Sequence, residues 1–283
     1  MKKILYHLHI MWYEVDMVEE TLDSLLIALN NINKNDTYVD LKICFNSQTY
    51  LEIPNENPIK LFDKLKNHPI FNCNIKSEII CKTMDDEFYN IGDWRRDNYG
   101  NDYDYYVWGE SDCLVPNCYF KNISNIIYDS AHIVSYSQRK MWDSSWNEVE
   151  HEILKPIPYD YNMDLISPLG QHYYMSTDEM NNFNSVFPVK VTLLKNIKID
   201  GNMICLSKGL PVPIIPVDIH FIHEDLALEL VMKKFNIPQI HFPYQIKAHN
   251  RMHPLKRQYT KTDKETKLYN KYKEESLLAI NKI

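Results

Sequence analysis

Apolar and polar positions along the chain alternate between two periods, one near 2 and one near 3.6. Residues 3–10 are mostly apolar and of strand length, which predicts a buried first strand. After a turn-like MWYEVD, Val18, Leu22, Leu25, Leu26 and Leu29 recur at helical spacing, with Glu19 and Glu20 in the first turn. Residues 39–46 alternate as a second strand. A short helix is expected at 59–67, a third strand at 76–82, and a fourth at 103–109 that ends in an acidic turn. Pro116 then marks a helix start, with Tyr119, Phe120, Ile123, Ile126 and Ile127 on one side, and 132–136 reads as the next strand. The stretch 138–185 has no period and is rich in aromatic and polar residues. Strands are expected at 188–199 and 202–207, an amphipathic helix over HEDLALELVMKKF, a short strand at 239–246, and a helical tail. Strand and helix alternating in this way predict one α/β domain built on a parallel sheet.

Composition narrows the function. The chain has 283 residues, 45% apolar and 24% charged, which suits a folded domain with a sizeable core. Only 6 glycines are present, and neither G-x-G-x-x-G nor G-x-x-x-x-G-K occurs, so Gly-rich phosphate loops are not expected. The net charge of −7 is uneven: residues 246–283 hold ten Lys and Arg against four acids, a net +6, leaving −13 for residues 1–245. A basic tail on an acidic body suits a polyanionic partner such as a nucleotide pyrophosphate or nucleic acid, or else a solvated helix face. Six cysteines show no C-x-x-C pair, the N-terminal apolar stretch is broken by His7 and His9, and no apolar run approaches membrane-span length. The expectation is a reduced, soluble, cytoplasmic protein.

Three segments carry candidate chemistry. In DYDYYVWGESDCLVP (102–116) a hydrophobic strand delivers Glu110 and Asp112, two residues apart. Such carboxylates can hold Mg²⁺ or Mn²⁺ with positions left open for phosphate, although an acidic turn can equally be solvated. NIGDWRRDNYG (90–100) reads as a loop. It holds two of the six glycines, which implies a tight turn or a close approach, and Arg95 and Arg96 could reach a pyrophosphate or the acidic turn. In HFIHEDLALELVMKKFNIPQIHFPYQIKAH (220–249), Glu224 and Asp225 open a helix whose dipole favours carboxylates, and His249 follows the next short strand.

In order, NIGDWRRDNYG, YYVWGESD, HEDLALEL and His249 resemble the GT-A glycosyltransferases, especially the inverting, family 2-like type, with a phage or viral source left open. The resemblance spans roughly residues 3–250. It implies a Rossmann-like, mixed, mainly parallel sheet flanked by helices. It divides the chain into a nucleotide-sugar half (1–130), an acceptor half (131–250) and a basic tail (251–283). It implies Mn²⁺ or Mg²⁺ held by Asp112, His249 and Glu110, and a nucleotide-sugar donor, by expectation UDP-linked. The donor would meet Trp12, Tyr13, Asn46, Arg95, Arg96, Asn98, Glu110, Ser111 and Asp112. Asp225 would be the general base, with Glu224 beside it, and Trp142, Trp146 and His223 would face the acceptor. Glu-Ser-Asp stands where the family has Asp-x-Asp, and FNSQTY where an acid usually follows the second strand, so Asn46 or Ser47 would meet the nucleoside. The expected acceptor is a glycan or lipid-linked saccharide; DNA carrying a hydroxymethylated base is the alternative. A nucleotidyltransferase, or a non-catalytic module binding nucleotide sugars or glycans, is the reading from a different class.

Overall fold

The computed structural model describes residues 1–11, 15–47, 63, 65–73, 77–83, 90–141, 176–195, 197, 199, 203–250 and 263–283. Among them nine strands make one sheet: β1 (Lys2–Met11), β2 (Thr37–Ser47), β3 (Ser77–Thr83), β4 (Tyr105–Glu110), β5 (Cys113–Leu114), β6 (Ile133–Met141), β7 (Thr192–Leu194), β8 (Ile204–Ser207) and β9 (Gln239–Asn250). The order is β3-β2-β1-β4-β8-β6-β9-β5, with β7 also paired to β9. β1, β2, β3 and β4 pair in parallel, and β8 lies antiparallel between β4 and β6. Because β6 is parallel to β9, while β5 and β7 oppose β9, six strands share one direction and three oppose it. The sheet runs without a break across the expected division at residue 130, since β5 closes onto β9.

The alternation of β1 explains the layers. Ile4, Tyr6, Leu8 and Ile10 join Val18, Leu22, Leu25 and Leu29 of α1 (Val15–Asn30) and Tyr119, Phe120 and Ile123 of α3 (Tyr119–Ser124) in one core cluster. Leu5 points the other way. It joins Tyr106 and Trp108 of β4, Leu228 and Met232 of α5 (Glu224–Lys234), and Ala279 of α6 (Asp263–Ile280). Helices therefore cover both faces, as a mainly parallel sheet requires. The C-terminal helix contributes to that second core, so residues 263–283 of the basic tail pack on the body. No helix among the described residues is long and apolar enough to cross a membrane.

Several expected elements change. NIGDWRRDNYG is not a loop: residues Ile91–Asp97 form helix α2. α3 begins at Tyr119 instead of Pro116 and stops at Ser124, so Ile126 is still buried but Ile127 is 97% exposed. The stretch 138–185 is in part regular. Its first residues extend β6, and Thr177–Val186 form helix α4, closed by a capping box between Ser176 and Glu179. Among the described residues of the strand expected at 188–199, only Thr192–Leu194 are strand, as β7, while β9 reaches Asn250 and takes His249 into the sheet. The short helix expected at 59–67 lies mostly outside the described residues.

Gly92 explains how α2 docks. Its N–H donates to the His220 carbonyl at 2.7 Å, and a Cβ there would overlap the carbonyl oxygens of Ile219 and His220. Helix propensity alone would favour Gly92→Ala by about 0.5–1 kcal/mol. Overlap with backbone should win, costing about 1–3 kcal/mol and lowering Tm by roughly 2–10 °C. An unchanged or raised Tm in thermal melts would show that the 216–221 segment yields.

Candidate active site

The strand order reverses at β1, with β2 on one side and β4 on the other. Open α/β sheets seat ligands outside the carboxyl ends of the strands at such a reversal. Glu110, the last residue of β4, lies there opposite His9 of β1. The chain turns through Ser111 and Asp112 into β5, where Cys113 pairs with His249 of β9. That pairing carries His249 to the acidic turn. Its Nε2 lies 3.2 Å from Asp112 Oδ1 and 3.9 Å from Glu110 Oε2. α1 secures the turn from behind: Thr21 Oγ1 donates to the Ser111 carbonyl at 2.8 Å, and Ser24 Oγ accepts from the Val115 N–H at 2.9 Å.

One ligand atom each from Glu110, Asp112 and His249 lies within 4.8 Å of the others. Asp112 and His249 are buried and Glu110 is partly so. Buried carboxylates are costly unless positive charge or donors compensate them. Two carboxylates with one imidazole suit a divalent cation that accepts oxygen and nitrogen donors, Mn²⁺ better than Mg²⁺. The donor set therefore fits the metal that the sequence reading expects.

Arg95 joins this turn to the opposite wall. It is 2% exposed, and its two terminal nitrogens donate to different carboxylates: to Glu110 Oε1 at 3.0 Å and to Glu224 Oε1 at 2.8 Å. The guanidinium lies 4.7 Å from the ring centroid of Trp108, two residues before Glu110 on the same face of β4. His7 of β1 is buried nearby, tilted against Trp94. Burial, then the charges of Arg95 and Lys42, lower its pKa to about 3, so it is neutral beneath the site.

The second wall begins in an uncommon turn. Ile222 and His223 have φ of +68° and +64°, a region that β-branched residues rarely enter. The turn makes Glu224 and Asp225 the first two residues of α5. The half-buried carboxyl of Asp225 is pushed up to about 6, chiefly by burial and then by Glu224, against the opposing pull of the Leu226 N–H and Arg95.

The structure thus gathers Glu110, Ser111, Asp112, Arg95, Glu224, Asp225, His223 and His249 around one end of the sheet. Arg96 points elsewhere: it bonds to Asp93 and to the carbonyls of Pro216 and Ile219. Asn98 donates to the Trp94 carbonyl and lies 3.4 Å from Lys42 Nζ, so neither side chain reaches the acidic turn. Asn46 falls near the end of β2, and Trp12, Tyr13, Trp142 and Trp146 lie outside the described residues. Sequence reasoning overlooked Thr21, Ser24, His7 and Trp108. Trp108 was within reach, because it shares the period-2 face of Glu110.

The residues around this edge define an α/β protein with an acidic, cation-fitting site at the carboxyl ends of its parallel strands. No family model matches the chain, and no curated protein matches it. Among solved structures it is similar to S. aureus TarS 1–349, at a TM-score of 0.47 and 10% identity, over 88% of this chain and 60% of that one. It is also similar to S. aureus TarS 1–349 in complex with UDP-GlcNAc, at a TM-score of 0.33 and 8% identity, over 54% of this chain and 38% of that one. The chain thus spans less than two thirds of either. Likeness of this size assigns neither family nor chemistry, which the side chains must carry.

Asp225 also makes stability depend on pH. Its carboxyl binds a proton more tightly folded than unfolded, where a value near 3.9 applies. Its contribution is therefore fully favourable below about pH 4 and is lost as pH rises through 6. Asp225→Asn should melt with the parent at pH 3.5 and above it at pH 8, by on the order of 1–2 kcal/mol after allowance for partial exposure. A gap independent of pH in paired melting curves would refute the raised value.

Proposed function

We propose that this chain is a metal-dependent, inverting GT-A glycosyltransferase that moves a sugar from a nucleotide-sugar donor to an acceptor hydroxyl, by expectation on a glycan. The observation that carries the reading is the three-ligand cluster of Glu110, Asp112 and His249 facing Glu224 and Asp225 across Arg95. A binding module has no need of a carboxyl held at about 6 beside a cation-fitting cluster, whereas group transfer to a hydroxyl uses both.

Asp112, His249 and Glu110 would hold the ion, which when bound offsets the charge of the departing diphosphate. The remaining work belongs to the chain. The bond between the anomeric carbon and the phosphate oxygen breaks as the acceptor oxygen bonds from the opposite face, so configuration inverts without a covalent enzyme intermediate. Asp225 takes the acceptor proton, and its raised pKa brings its basicity closer to neutral pH, where proton transfer is more efficient. Glu224 is held by Arg95 and serves as its neighbour and orienting charge. Asn46 near the end of β2, with Trp12 and Tyr13 in the segment that follows β1, would meet the nucleoside, with UDP as the expected carrier.

Two variants separate metal from base. Asp112→Asn should abolish Mn²⁺-dependent nucleotide binding in calorimetry with little loss of Tm; unchanged affinity would remove the cluster as the metal site. Asp225→Asn should keep donor binding but cut transfer by about 10²–10⁴-fold, the usual contribution of a general base. Near-parental turnover in a product assay would transfer the role to Glu224 or His223.

A further inference from the structure

We infer that the C-terminal helix α6 is a latch that holds the Ile222–His223 turn in its left-handed conformation, and that Ser276 is the positioning residue through which it does so. The functional half of this inference rests on Glu224 and Asp225 acting as proposed above; the structural half does not.

Backbone in sparsely populated regions persists only where its surroundings over-determine it. The chain entering this turn is gripped from two sides. On one side α2 holds residues 216–220. The Gly92 N–H donates to the His220 carbonyl, Arg96 to the carbonyls of Pro216 and Ile219, and Asp93 meets His220 Nδ1 at 2.9 Å. On the other side stands α6. Ser276, fully buried, donates its hydroxyl at 3.0 Å to the carbonyl of Phe221, the residue just before the turn. Tyr272, one helical turn earlier, lies 5.9 Å from the His220 ring, centroid to centroid. The helix is itself pinned: Ala279 packs in the core with Leu228 and Met232 of α5, and Lys234 Nζ donates to the Ile283 carbonyl at 3.1 Å.

The turn needs this support because its own capping is poor. His223, the N-cap of α5, makes no side-chain capping bond. The Leu226 N–H goes to Asp225 Oδ1 at 2.8 Å, and the Ala227 N–H goes to the His223 carbonyl at 2.9 Å. With no usual cap, the first turn of α5 takes its place from the chain before it, and Ser276 fixes that chain one residue upstream. None of these contacts of α6 reaches Glu110 or Asp112, so it acts on the site through the turn and through α5, and Ser276 acts through the turn.

The test uses the full chain. Ser276→Ala leaves the strong helix former in α6 and removes only the hydroxyl. Hydrogen exchange at the Leu226 and Ala227 amides should accelerate about tenfold, as expected for one lost bond to a buried carbonyl. Exchange in β1 and β4 should hold its parental rate. Ser276→Thr, which keeps the hydroxyl, should restore slow exchange. In a transfer assay Ser276→Ala should lower kcat with donor KM unchanged, because donor contacts lie across the site. Unchanged exchange at Leu226 and Ala227, or acceleration spread evenly through the sheet, overturns the latch. Local acceleration in a protein whose parent transfers no sugar sustains the latch and removes the functional reading instead.

Discussion

The cationic guanidinium of Arg95 is almost wholly enclosed, so the chain around it must supply negative charge in fixed positions. Glu110 comes from the end of β4 and Glu224 from the start of α5, and each takes a separate nitrogen of the planar fork. A lysine could not hold both in that way. Much of the local architecture follows from this arrangement. α2 has to approach close enough to bring Arg95 inward, which is why Gly92 meets backbone directly, and Trp108 gives the cation an aromatic face.

Arg95 neutralises only part of the site. Glu110, Asp112, Glu224 and Asp225 bring four carboxyls against one guanidinium. The surplus is relieved in two ways that divide the site by chemistry. On the β4–β9 side, Asp112 and His249 form a pocket of donors that suits a divalent cation. On the α5 side the carboxyl of Asp225 holds its proton to higher pH than an ordinary aspartate. Charge that would otherwise weaken the fold is thus placed where a leaving group and an acceptor proton would need opposite kinds of help.

The layer pattern was legible in the sequence because it depends on local period. The alternation in β1, the stripe of α1 and the acidic end of β4 could all be read directly. The Glu-Asp pair at a helix start was also plain, because a carboxylate there matches the helix dipole. What stayed hidden was set by long-range pairing. Nothing local says that Cys113 pairs with His249, so His249 read as a residue beyond a short strand. Arg95 and Arg96 looked equivalent, since only the docked helix sends one inward and the other to the carbonyls of 216 and 219. The two-residue left-handed turn carries no glycine to announce it.

Nearly every contact that completes the site joins distant parts of the chain, and this orders events during synthesis. Glu110 and Asp112 leave the ribosome long before the residues that complete the site: Glu224 and His249 follow, and Ser276, which holds the Phe221 carbonyl, comes last. At roughly 5–20 residues per second, the interval between the first of these and the last is on the order of ten seconds to half a minute. Until Glu224 emerges, the acidic turn has Arg95 but lacks the opposite wall. A chain interrupted between Asp112 and α6 would carry the acidic turn of the site yet lack the helix that sets its second wall in place.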